Sequence, residues 1–219
     1  MNALNLISHT LEPIKTSNTG QEALDQMSDN NVRHLPIVNN KQLLGVIAEE
    51  DILEHDLNEP IGSYRLSLQR PFVKDADHIF DLMAQIARLG LTLIPVVDEE
   101  DQYMGVICQE SLLEYFSGSF SFSERGSIIV LEMSKPDYAL SEISRVVESE
   151  GVAIISAFIS SQPDTNKIYV HLKINKTEVG RVLAALERYE YVVHSMYTEE
   201  QDADVLKDRF ESFMHYLNV

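Results

Sequence analysis

The chain has 219 residues, 44% hydrophobic and 24% charged, an ordinary globular usage that argues against disorder and suits one large domain or two ordinary ones. With 17 Lys and Arg against 35 Asp and Glu the net charge is −18, which excludes broad contact with nucleic acid or anionic membrane, since both need a basic face. Cys108 is the one cysteine, so no intramolecular disulfide or Cys-based zinc cluster is available. Met1–Ile7 has no cationic, apolar leader, and no run approaches the ~20 apolar residues of a membrane span. The expectation is a soluble cytoplasmic protein.

The first half is a repeat. Pro13-Ile-Lys-Thr16, Leu24, Leu35-Pro36-Ile-Val38, Gly45-Val-Ile47 and Asp51-Ile-Leu53 are matched by Pro71-Phe-Val-Lys74, Leu82, Ile94-Pro95-Val-Val97, Gly105-Val-Ile107 and Ser111-Leu-Leu113. Pairing Leu24 with Leu82, Pro36 with Pro95 and Gly45 with Gly105 makes the offset grow by one residue at each step. Each unit reads strand, helix, strand, strand, helix. Thr19-Gly-Gln-Glu22 is a capping box that starts a helix over 20–29. In the second unit Asp75 is expected to cap the matching helix, which runs to Leu89 with Gly90 as its stop. Leu35–Val38 and Gly45–Ile47 flank the polar turn Asn39–Gln42 as a hairpin of buried strands. Asp98–Asp101 is the equivalent turn, read as solvated because it lacks the glycine and Glu of a calcium loop. Helices over 49–55 and 109–116 close the units. One unit of ~55 residues buries too little surface alone, so the two are expected to pack together.

Val32-Arg-His-Leu-Pro-Ile-Val38 followed by Gly45-Val-Ile-Ala-Glu-Glu-Asp-Ile-Leu53 resembles a cystathionine-β-synthase-type (CBS) domain, and two in tandem resemble a CBS pair, or Bateman module. The resemblance implies a regulatory module that binds adenine-containing ligands in clefts between the paired domains and dimerises. In such domains Gly-h-h-Ser/Thr-x-x-Asp supplies a hydroxyl and a carboxylate to ribose or phosphate. Here the first repeat keeps Asp51 but has Ala48 for the hydroxyl. The second has Cys108 and Ser111, and a hydroxyl grips ribose less well than a carboxylate. The first-repeat cleft is therefore the expected site, with Thr16, Arg33, His34, Pro36 and Asp51 as its candidates. Each has a plain alternative: Asp51 caps the following helix, Arg33 is a surface residue, His34 a satisfied edge residue. Cys108 reads as a small core hydrophobe.

After the polar stretch Ser117–Gly126, residues 127–133 read as a strand. Ser134-Lys-Pro-Asp137 is expected to open a helix with Pro136 in its first turn; Leu140, Ile143, Val146 and Val147 form its stripe, and Gly151 ends it. Val152–Ile159 and Lys167–Ile174 read as strands, the second alternating cleanly. Asn175-Lys-Thr-Glu178 is expected to cap a helix to about Tyr189, and Tyr191–Tyr197 is the last strand. The order β-α-β-β-α-β is ferredoxin-like. After a CBS pair it resembles an ACT domain, and the whole is similar to acetoin-utilisation regulatory proteins. Where ACT sensors carry a ligand-approach glycine, this chain has Ser134-Lys-Pro-Asp-Tyr-Ala-Leu140, so dimerisation and amino-acid binding are both open for this domain. In the tail, Val205, Leu206, Phe210, Phe213, Met214 and Leu217 form one apolar helical face behind an acidic start.

The expected organisation is α/β (α+β): CBS domains over 1–60 and 61–118, a linker over 119–125, an ACT-like domain over 126–198 and a helical tail over 199–219. No phosphate loop, dinucleotide fingerprint, zincin or nucleophile-elbow motif is present, and the seven histidines are scattered. The expected function is non-catalytic: an adenine-containing ligand such as AMP, ADP, ATP or S-adenosylmethionine binds the first-repeat cleft and alters a homodimer, with no metal. The alternative is a ligand-free dimeric scaffold that regulates a partner enzyme or transporter. Most of the negative charge falls on residues 1–125, so any phosphate must be met by a few cations, of which Arg33 is the best placed.

Overall fold

The computed structural model describes residues 3–68, 70–119 and 121–198. The predicted tail helix lies outside them. The chain divides into one unit over 1–116 and a second over 117–219.

In the first unit, α1 (Gly20–Asp29) begins at the predicted capping box: Thr19 accepts the Glu22 amide while the Glu22 carboxylate accepts the Thr19 amide. Strands β1 (His34–Asn39) and β2 (Gln42–Ala48) pair antiparallel. Asn40 and Lys41, at φ 49° and 68°, take the left-handed backbone conformation of a turn whose twist matches the right-handed twist of the paired strands. Helix α2 (Glu49–Leu53) follows. The second repeat gives β3 (Val73–Lys74), α3 (Ile79–Leu89), β4 (Leu93–Val97), β5 (Tyr103–Cys108) and α4 (Gln109–Ser119). β3 runs parallel to β4, which pairs antiparallel with β5. The equivalent of β3 in the first repeat is reduced to one parallel bridge, Ile14 to Ile37. Leu93 and Val106 of the second repeat lie in the apolar cluster of the first, with Leu35, Ile47 and Ile52. The expected mutual burial is thereby built.

Structural equivalence corrects the repeat alignment. The Lys15 amide bonds Asn18 and the Lys74 amide bonds Asp77; the Met27 carbonyl receives Val32 and the Ile86 carbonyl receives Leu91. These pairs and Pro36/Pro95 share one offset. Buried Leu82 is thus the counterpart of buried Ala23, not of Leu24. The single insertion falls in the second hairpin turn, before Gln102, which bridges its counterpart Gln42. There the Asp98 carboxylate accepts the Glu100 and Gln102 amides.

The same equivalence corrects the cap of α3. The Asp75 amide still donates to Val97, so Asp75 continues the ladder of β3, and a turn closed by Asp77 intervenes. The N-cap is His78, the counterpart of Thr19, and its ring accepts the Phe80 amide. Gly90 ends α3 as expected, at φ 64°, a left-handed cap that glycine takes without strain.

The second unit contains β6 (Ser127–Ser134), α5 (Leu140–Ser149), β7 (Ile154–Ser161), β8 (Lys167–Ile174), α6 (Gly180–Arg188) and β9 (Val192–Thr198). The sheet order is β7-β8-β6-β9, antiparallel throughout, which is the ferredoxin-like arrangement. Ile129, Leu131, Val170 and Leu172 face Ile143, Val147, Val182 and Leu186 of the two helices. Two helix starts differ from expectation. Lys135–Asp137 is a separate 3-10 turn, with Ser134 hydroxyl bonded to the Asp137 carboxylate, so α5 begins only at Leu140, itself 40% exposed. Asn175 does not cap α6; its side chain accepts the Ala153 amide and ties the ends of β7 and β8 together, while Val179 precedes α6 with no side-chain cap.

Candidate functional site

The two repeats place equivalent groups around two clefts. The Arg33 carbonyl accepts the Glu49 amide, and its counterpart, the Thr92 carbonyl, accepts the Gln109 amide. Each cleft therefore lies where the start of a hairpin-following helix meets the helix-to-strand turn of the other repeat. The smaller, about 250 Å³, is lined by Arg33, His34, Ala48, Glu49, Glu50, Ser67 and the Leu89-Gly90 turn. The larger, about 780 Å³, is lined by Asn30, Asn31, Arg33, Thr92, Gln109 and Glu110, with Met83, Ile86, Leu112 and Phe116 among its apolar residues. Cys108 also lines it, half-buried, and burial pushes its thiol pKa up, which leaves it a weak nucleophile.

Arg33 is exposed and is shared by both clefts. It is held by its backbone, whose amide donates to the Thr92 hydroxyl at 3.0 Å. His34 is buried. Its Nδ1 accepts the Thr92 amide at 3.2 Å and lies 3.0 Å from the Thr92 hydroxyl, so the two repeats are joined through this ring. Burial, then the Arg33 charge, pull the His34 pKa below its ordinary value.

The other candidates do not line either cleft. Pro36 is buried in β1 opposite Val46, and its carbonyl accepts the Ile14 amide. The Thr16 hydroxyl accepts from the Asn39 side chain at 2.9 Å. Asp51 is 5% exposed. One of its oxygens accepts the Ala48 amide at 3.2 Å, and the other accepts the Ser67 amide at 3.1 Å. The first bond is one arm of a capping box, and Ala48 lacks the hydroxyl for the other arm. The second ties α2 to the segment that leads into the second repeat. Asn30, Asn31 and Gln109 were missed in the sequence because turn and helix-start polar residues carry no motif; packing of one repeat on the other brings them to one cleft with Thr92.

The CBS domain family matches residues 6–58 and 67–118. The first unit is a tandem pair of CBS domains. An uncharacterized protein of Methanocaldococcus jannaschii is 27% identical over 95 residues, 43% of this chain and 36% of that relative, so the match spans about a third of the relative's length. A CBS domain pair/ACT domain protein from Thermotoga maritima is 24% identical, with a TM-score of 0.49 over 53% of this chain and 96% of the other. A putative acetoin utilization protein from Vibrio cholerae is 20% identical, with a TM-score of 0.46 over 54% and 97%. No helix among the described residues is long and apolar enough to cross a membrane.

The ring that joins the CBS domains should make the pair acid-sensitive. A group whose folded pKa is depressed takes up protons more readily in the unfolded chain, so its stabilising effect is complete above the unfolded value of about 6.5 and falls as pH drops below it. His34→Gln keeps an acceptor for the Thr92 amide without the titration. Urea unfolding across pH 5 to 8 should show a shallower acid limb for His34→Gln than for the unaltered chain; identical limbs would remove His34 from the account.

Proposed function

We propose that the CBS pair is a non-catalytic sensor of an adenine-containing ligand, AMP, ADP, ATP or S-adenosylmethionine, and that binding changes the geometry of a homodimer through which a partner enzyme or transporter is regulated. The observation that carries the reading is the larger cleft. Its volume of about 780 Å³ lies within the range of about 300–1,000 Å³ usual for small-molecule sites. An apolar wall suits the faces of a purine, while Asn30, Asn31, Thr92 and Gln109 offer hydrogen bonds to its edges and to hydroxyl groups. Arg33 is the cation for phosphate. The smaller cleft, at about 250 Å³, falls below that range, and Glu49 and Glu50 there oppose an anionic ligand. Geometry thus favours the larger cleft over the one first expected, with Arg33 common to both.

Dimerisation is supported by apolar side chains left at the surface. Leu53 on α2 and Leu113 on α4 are 63% and 72% exposed at equivalent positions, and Phe80 on α3 is 58% exposed. Helix faces of this kind are suited to a second copy.

Calorimetric titration of the full chain with the four ligands tests the reading. At least one should bind, and Arg33→Ala should weaken a phosphate-bearing ligand about 10- to 100-fold, the loss of one charge-assisted contact. Binding unchanged by Arg33→Ala would remove phosphate from the site. No heat with any ligand would favour the ligand-free scaffold, a reading supported by Asp51 already spending both oxygens on backbone amides.

A further inference from the structure

In the second unit one sheet face is covered by α5 and α6. The other carries Val130, Phe158, Tyr169, His171, His194 and Tyr197, placed there by register: Ile128 opposes Tyr197, Val130 opposes His171 and Ser195, and Phe158 opposes His171. The rings are organised, with Phe158 stacked on His171 at 4.5 Å and Tyr169 against His194 at 4.8 Å. An open face of an antiparallel sheet is normally polar, yet Phe158 and Tyr197 are 49% and 61% exposed. A shallow depression of about 250 Å³ lies among Val130, Tyr169, His171, His194 and Tyr197. The charged residues of this face are Lys167 and Lys173 against Glu132, which bonds Lys167 and sits 3.6 Å from His194. The face is aromatic and mildly cationic in a chain of net charge −18.

We propose that this face is the docking surface for residues 199–219 of the same chain, laid across it as an amphipathic helix. Three observations point to this occupant. It follows β9 directly, and β9 is an edge strand of this sheet. Leu206, Phe210, Phe213, Met214 and Leu217 fall at i, i+4, i+7, i+8 and i+11, a single apolar stripe that must be buried. Glu199, Glu200, Asp202 and Asp204, with no cation among them, complement Lys167 and Lys173 of the face. Reach also agrees. The acidic lead of 199–204 spans up to about 20 Å when extended, enough to turn back over the edge. A helix from Val205 to Leu217 is about 20 Å long, against about 14 Å across four strands. Direct tethering favours the chain's own tail over a second copy by raising its effective concentration.

Hydrogen exchange of the full-length chain tests this. Amides of 205–217 should be protected at least ten-fold over a free peptide of the same sequence, at all protein concentrations. The double substitution Phe158→Glu with Tyr197→Glu, at exposed positions, should remove that protection, as should Phe210→Asp with Phe213→Asp. A tail that exchanges like the free peptide overturns the proposal. Protection that survives the face substitutions places the tail elsewhere and overturns it too. Protection lost on dilution assigns the face to a second copy's tail and overturns docking within one chain.

Discussion

Asp51→Ala should destabilise the first unit by about 3 kcal/mol, because hydrogen bonds to a charged group are worth about 1.5–3 kcal/mol each and this carboxylate makes two to backbone amides while only 5% exposed. Alanine removes both acceptors and leaves the Ala48 and Ser67 amides to find water at a buried position. Asp51→Asn is the graded control. Its one carbonyl oxygen can serve one amide, but its NH2 group meets the other donor to donor, so it should cost roughly half to two-thirds as much. Urea unfolding of the full chain gives the size of the loss, and hydrogen exchange gives its location: the Ala48 and Ser67 amides should become labile first. A loss below about 0.5 kcal/mol, within the range of an ordinary surface change, would show that neither bond matters. The result bears on function as well. A substitution that loosens α2 weakens any ligand indirectly, so lost binding in Asp51→Ala is no evidence of a ribose contact; Arg33→Ala, at an exposed side chain, separates the two.

The fold was largely legible because several local signals agreed. Thr19 and Glu22 fixed the start of α1 through a reciprocal pair of hydrogen bonds that depends only on spacing. The alternation of Ile168, Val170, Leu172 and Ile174 gave the buried face of β8, and all four are fully or nearly fully buried. The errors arose where one residue type can meet two backbone needs. Asp75 has the chemistry of a cap but sits one turn too early, its amide claimed by the ladder. Asn175 also suits a cap, and a neighbouring strand claims it instead. Pro136 fits a first turn, and the 3-10 turn that it occupies is not continued into α5. The candidate site was less legible, because a cleft is made by residues distant in sequence. Arg33 was found from its place beside the Leu35-Pro36 strand, but Asn30, Asn31 and Gln109 join it only through packing of one repeat on the other. Asp51 shows the limit of motif reading. A Ser/Thr-x-x-Asp spacing serves a ligand and a helix start equally well, and only the position of the Ala48 and Ser67 amides shows where this carboxylate is spent.

Gly126→Ala should damage the second unit more than any other glycine substitution there. Gly126 stands immediately before β6 at φ 154°, a conformation that side chains rarely adopt, and an added Cβ would lie 1.9 Å from the Ile174 carbonyl oxygen and 3.1 Å from its carbon. Both are backbone atoms, so no rotamer change relieves the clash. Relief requires the end of β8 to leave β6 at the Ser127–Ile174 pair, where both residues are fully buried and the Ser127 hydroxyl bonds the Thr177 carbonyl at 3.3 Å. Backbone strain of this kind costs about 1–3 kcal/mol, and adding the disrupted pairing brings the expected loss to about 4 kcal/mol, in the range reserved for core lesions. Gly151 is the internal comparison. It has φ 71° but nothing within 4 Å of its would-be Cβ, so Gly151→Ala carries the conformational cost alone, about 1 kcal/mol. Thermal unfolding of the two variants, with hydrogen exchange along β6 and β8, should show early loss of that ladder for Gly126→Ala and its retention for Gly151→Ala. Equal effects at the two positions would mean that backbone conformation, rather than the approach of Ile174, is what glycine provides at the start of β6.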